Sequence, residues 1–132
     1  MLMTACGTVI RIPPEEPGAL ADIAYPGETE LGDDLRIIVT RQRNHLTLRN
    51  AGPHRIGPAH LWINRAYVTA IPGVEVGAAS TVSLDVFRNR HGEPFPRGTL
   101  LVPERDQPIV LAEFYDPSTA LRHRLIVRLG RD

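Results

Sequence analysis

The chain has no lysine, and all fifteen of its basic residues are arginine. It has a single cysteine, Cys6, so no intrachain disulfide can form and cysteine pairing says nothing about compartment. Aromatic residues are only 5% of the 132, and no run of about 18 apolar residues is present that could cross a bilayer as a helix. Signatures of catalysis and metal binding are also missing. There is no nucleophile elbow, no paired His-Glu helix motif and no phosphate-binding glycine loop. The five histidines, His45, His54, His60, His91 and His123, lack the spacing of a three- or four-ligand zinc set. The expectation is a non-enzymatic protein without cofactor or metal.

In a chain rich in Ala, Gly and Pro, the all-arginine set is read as a bias of coding composition rather than as selection for phosphate contacts. With no recognition helix or aromatic RNA-binding motif beside it, nucleic acid is not an expected partner. Fifteen acids balance the fifteen arginines, but unevenly. Residues 1–34 carry seven acids and only Arg11, leaving a body with a net charge of plus six.

What is present falls into two parts. Residues 1–34 are dense in Pro, Gly and acids, a composition that buries too little apolar surface to offset its ordering entropy. They are expected to form a flexible tether, with one helical turn around Ala19 to Ala24. Residues 35–132 read as short strands separated by turn clusters. Leu35, Ile37 and Val39 share one face of LRIIVT, Leu46 and Leu48 one face of LTLRN, and Val82, Leu84 and Val86 one face of STVSLDVF. HLWINRAYVTAI and PIVLAEFYD are rich in β-branched and aromatic residues. In LRHRLIVRL, alternation turns Leu121, Leu125, Val127 and Leu129 inward and Arg122, Arg124 and Arg128 outward. About seven strands at this spacing predict an all-β, immunoglobulin-like antiparallel β-sandwich.

LTLRNAG, IGPAHLWINRAYVTAI and VEVGAASTVSLDVF together resemble the bacterial CARDB-type and fibronectin III-like modules. The resemblance spans residues 35 to about 129 in rhythm and is closest between Leu46 and Phe87. It implies interaction or adhesion, and a hairpin within the second stretch.

Met3-Thr4-Ala5-Cys6-Gly7 is similar to a lipobox, in which small residues precede a cysteine that becomes the acylated N-terminus of a lipoprotein. Only five residues precede Cys6, so no basic and apolar export signal is visible before it. A lipid anchor at Cys6 would place the protein in the bacterial envelope, in the periplasm or at the outer membrane. Its sandwich would then bind or position a protein or glycan. Two alternatives stay open. One is an accessory carbohydrate-binding or hydrolytic module that uses Trp62, Tyr67 and the loop from Phe87 to Phe95; the other is a cytoplasmic β-sandwich interaction domain.

The candidate binding surface comprises Trp62, Tyr67, His91, Phe95, Arg122, Arg124 and Arg128. Alternation sets Trp62 opposite Leu61 and Ile63, so either its strand is covered on both faces or Trp62 is exposed. RNRHGEPFPRG is the expected contact loop, with a turn at Asn89 to Gly92 and Phe95, between two prolines, either packed on the sheet edge or displayed. Arg122 and Arg128 are expected outside, where replacement by Ala shifts stability by under about 0.5 kcal/mol.

Overall fold

A computed structural model describes residues 9–11, 17–96 and 107–128, with side-chain surroundings from residue 19 onward. Cys6 and Leu129 lie outside the described residues. The strands are β1 (Val9–Arg11), β2 (Ile37–Gln42), β3 (His45–Asn50), β4 (Ala59–Ile63), β5 (Tyr67–Ile71), β6 (Ala79–Ser83), β7 (Ala112–Asp116), β8 (Leu121–Arg124) and β9 (Ile126–Arg128). A short helix, α1 (Pro17–Ala21), precedes β2, and a 3-10 turn, Leu84–Val86, follows β6. Helix α1 is the one turn expected near Ala19, displaced slightly toward the N-terminus.

Two sheets pack face to face, as expected of the sandwich. The first has the order β1-β6-β3-β2-β9 and the second β5-β4-β7-β8. The hairpins β2–β3, β4–β5 and β7–β8 are antiparallel, whereas β1 runs parallel to β6 and β9 parallel to β2. The main core lies between the sheets. Ile37, Val39, Leu46, Leu48 and Val82 enter it from the first sheet, and Leu61, Ile63, Ile71 and Phe114 from the second. These are the alternating positions of each strand, and their removal from water drives the two faces together. Phe87 belongs to this core, fully buried, rather than to a displayed loop.

LRHRLIVRL, read as one strand, is two. β8 pairs with β7 in the second sheet, Leu125 donates its backbone N–H to Ala112 O at 3.0 Å, and the chain then crosses to pair as β9 with β2 in the first. A strand that changes sheets this way closes one corner of a sandwich.

From Pro17 the stretch expected to be a tether is seated on the outer face of the second sheet. Leu20 packs with Trp62 and Val68 in a second, smaller core, flanked by Ile23, Tyr25 and Tyr115. Farther on, the segment runs parallel to β8. Arg122 N–H donates to Glu30 O, Gly32 N–H to Arg122 O and Leu35 N–H to Arg124 O, at 3.1, 2.8 and 2.9 Å. Gly32 is what lets the backbone come this close, because a Cβ there would stand 2.4 Å from the ring of His123. The same ring meets Asp33 O through Nδ1 at 2.8 Å.

Candidate functional site

Two arrangements of polar side chains stand out, and both depend on the docked segment. The first is a clasp. Tyr25 donates its hydroxyl to Glu113 Oε1 at 2.6 Å, and Arg122 Nη1 donates to Glu113 Oε2 at 2.8 Å. Arg122 Nη2 reaches Gly27 O and Thr29 O at 3.4 Å, and its guanidinium lies 5.7 Å from the Tyr25 ring centre. Glu113 is fully buried and Arg122 is 8% exposed. Burial, then the hydrogen bond to Glu113, raises the Tyr25 hydroxyl above the usual tyrosine range. The hydrogen bond to Glu113 likewise raises Arg122 above its ordinary value, so it stays charged at any working pH. A buried ion pair of this kind fixes a segment in place, because neither charge can be left alone without a large desolvation cost.

Arg122 is therefore corrected. Its strand phase is as expected, but the outer face on which it lies is covered by residues 20–29, so it is buried rather than part of an outer stripe. Arg124 and Arg128 are exposed, as expected, and form no stripe with it. For Trp62 the first of its two alternatives holds, which takes it off the exposed binding surface. It is only 3% exposed, since β4 is covered on both faces, and it meets Tyr25 edge to face at 5.2 Å. Phe95 is 2% exposed, packed edge to face on half-buried Tyr67 at 5.1 Å and beneath the guanidinium of Arg41. The flanking prolines turn Phe95 into the sandwich end instead of displaying it.

The second arrangement is a cleft of about 550 Å³ beside the docked segment. One wall is Ala21 to Tyr25. Trp62 borders it, and the opposite wall comes from Arg65 and Ala66 of the β4–β5 turn and from Arg88 to His91. The volume falls within the range of about 300–1,000 Å³ typical of ligand sites. Of the sequence-based candidates, Trp62 and His91 meet here, while Tyr67 and Phe95 sit at the sandwich end and Arg122 in the clasp.

Local sequence explains how the walls are placed. Asn64 and Arg65 both have left-handed backbone, φ 53° and 61°, the conformation that a tight antiparallel turn requires. The Asn64 side chain then holds the approach to β7, accepting from Val110 N–H and Leu111 N–H at 2.9 and 3.2 Å and donating to Pro108 O at 2.9 Å. Across the cleft, Arg88 pairs with Val68 through both backbone groups, at 3.0 and 3.1 Å, and its Nη1 donates to Phe87 O at 2.7 Å and to Asp85 O. Asn89 closes the expected turn. Its Oδ1 accepts from His91 N–H and Glu93 N–H at 2.9 Å, and Gly92 takes positive φ.

Electrostatically the cleft leans positive. Arg65, Arg88 and Arg90 line it with His91 against a single acid, Asp22. Sequence reasoning missed Tyr25 and Arg65, and it placed Arg88 and Arg90 in the expected contact loop without singling them out, because the cleft converges from separate turns and an arm. The faint signal was the spacing of Leu20, Ile23 and Ala24, one apolar face of a helical turn within a segment otherwise dense in Pro, Gly and acids. Among the described residues, no group of three or more His, Cys, Asp or Glu is placed to hold a metal ion, and no helix is long and apolar enough to cross a membrane.

The fold defines an all-β sandwich with a docked N-terminal segment. No family model, curated protein or solved structure matches the chain.

Proposed function

We propose that this chain is a non-catalytic interaction module whose sandwich binds a partner protein in the cleft between residues 21–25 and the turns at Arg65 and Arg90. The observation that carries this reading is the cleft itself, about 550 Å³, bordered by aromatic rings and by three arginines against one acid, Asp22, among the described residues. Large concave sites with a few convergent polar groups are where ligands bind. The order of β2-β3-β6 over β5-β4-β7-β8 supports the resemblance to fibronectin III-like and CARDB-type modules, which implies interaction or adhesion. The lipobox-like Met3 to Gly7 supports the bacterial envelope as its compartment, with Cys6 as the acylated residue and the membrane as a second contact. Mass spectrometry of the natively processed N-terminus checks that placement: an unmodified Cys6 behind Met1 rejects it.

The carbohydrate alternative loses its main contact, since a Trp62 ring buried edge-on offers no face on which a sugar can stack. The binding site is tested with Ala66→Trp, which fills the cleft mouth from an exposed turn position. Affinity capture from cells that make the protein, quantified against the wild type, should lose specific partners with this variant. Identical captured sets would reject the cleft as the binding site.

A further inference from the structure

Resting on the reading of the cleft as the binding site, we infer that its ligand is an acidic peptide, a segment of the partner whose carboxylate side chains meet Arg65, Arg88 and Arg90 while its aliphatic groups lie on the small apolar wall. Among the described residues two arginines are paired with carboxylates: Arg55 Nε meets Glu75 Oε2 and Arg122 Nη1 meets Glu113 Oε2, each at 2.8 Å. The three cleft arginines form no such pair among the described residues and converge on one cavity that holds a single acid, Asp22, so the cleft keeps an excess of positive charge to which an anionic ligand is complementary. Forked guanidinium groups suit carboxylates because they donate two parallel hydrogen bonds.

Arg65 carries a further sign. It occupies the second left-handed position of its turn, where glycine is the unstrained residue, and a side chain there costs conformational energy. The turn itself gains nothing from a guanidinium that makes no hydrogen bond within the described residues. Backbone strain retained under a charged group that lines a cleft points toward binding. Arg88 adds preorganisation, since its Nη1 is already fixed by two backbone carbonyls while its other donors remain for a ligand.

The walls select the class of polyanion. Trp62 is 3% exposed, so neither a sugar nor a nucleic-acid base finds a stacking platform. Ala21, Ile23, Ala24 and Ala66 present small aliphatic surface, and the space far exceeds what one isolated anion fills. A peptide alternating acidic and aliphatic side chains matches both properties.

The full chain is titrated with a blocked hexapeptide of alternating Glu and Leu, following the fluorescence of Trp62, the only tryptophan. The Gln-Leu peptide, a sulfated oligosaccharide and phosphatidylglycerol vesicles serve as competing probes. The acidic peptide should saturate the signal, the Gln version should bind about tenfold more weakly, and salt should weaken binding through the loss of charge attraction. The double variant Arg65→Gly, Arg90→Ser should lose about tenfold in affinity without a lower melting temperature, while Arg124→Ser, outside the cleft, should bind as the wild type does. Equal binding of the Gln peptide, tighter arginine-dependent binding of the oligosaccharide or the vesicles, or no response to any probe overturns the inference. If Ala66→Trp removes captured partners while the arginine variant keeps them, the cleft still binds but not acidic peptide. If neither variant changes capture, the binding reading falls as well.

Discussion

The outer faces of the two sheets are opposites. On β2, β3 and β6 the residues pointing away from the core, among them Ile38, Thr40, Thr47, Arg49 and Thr81, are half-buried or exposed, so the strands alternate along their length. On β4 and β7, three consecutive residues are buried, Leu61-Trp62-Ile63 and Ala112-Glu113-Phe114, because residues 20–29 lie over that face. A continuous buried run marks a strand with both faces covered. The sandwich proper is thus two layers, with a partial third held by one tyrosine, one carboxylate and one arginine.

The sharpest way to break this contrast is to compare two arginines of similar appearance in sequence. Arg122→Ala strips the counter-charge from fully buried Glu113 and should cost about 3–5 kcal/mol of stability in chemical denaturation. Arg128→Ala, on an exposed position, should cost under about 0.5 kcal/mol. Equal effects would mean that the third layer contributes nothing.

Two changes probe how the layer is seated. Gly32→Ala drives a methyl group into the ring of His123 and should cost about 1–3 kcal/mol, read as a lower melting temperature. Tyr25→Phe removes the hydroxyl bonded to Glu113 and should cost about 1–2 kcal/mol, less than a wholly buried charged bond because Tyr25 is half-buried. Its pH dependence has a definite sign. The folded protein holds the Tyr25 proton more tightly than the unfolded chain does, so this contribution is complete below the ordinary tyrosine pKa of about 10 and disappears as pH rises through the higher folded value. From about pH 10 up to the higher folded value, wild type should therefore lose stability more steeply than Tyr25→Phe when the two are melted side by side.

The smallest effect runs the other way. Arg65→Gly relieves left-handed backbone and should stabilise the fold by about 0.5–1 kcal/mol in the same melts. A loss of stability would show that the Arg65 side chain supports the turn.

Alternation made the core of the first sheet legible: Ile37, Val39, Leu46, Leu48 and Val82 all face inward as expected. It also gave Arg122 its correct face. What alternation cannot express is what lies on the far side of that face, since the covering comes from residues nearly a hundred positions earlier and depends on a hydrogen bond between Tyr25 and Glu113. The density of Pro, Gly and acids in residues 1–34 hid the docking for the same reason. A few side chains, Leu20, Ile23 and Tyr25, make the contact, too few to register as composition. The cleft was illegible because four separate turns and segments build it. Trp62, with its burial left open, and the loop from Arg88 through His91 were singled out in advance, but not the arm or the β4–β5 turn that complete the cleft.

The crossing of the chain at Leu125 bears on self-association. β8 and β9 stand at the margins of different sheets, and β9 covers the free hydrogen-bonding side of β2 with three residues, one of them Arg128. Short, charged marginal strands discourage pairing between molecules. A chain cut after Leu125 would leave β2, with its run Ile37-Ile38-Val39, open along that side and ready to recruit the same strand from a second molecule, so these few residues guard against aggregation as much as they close the sandwich.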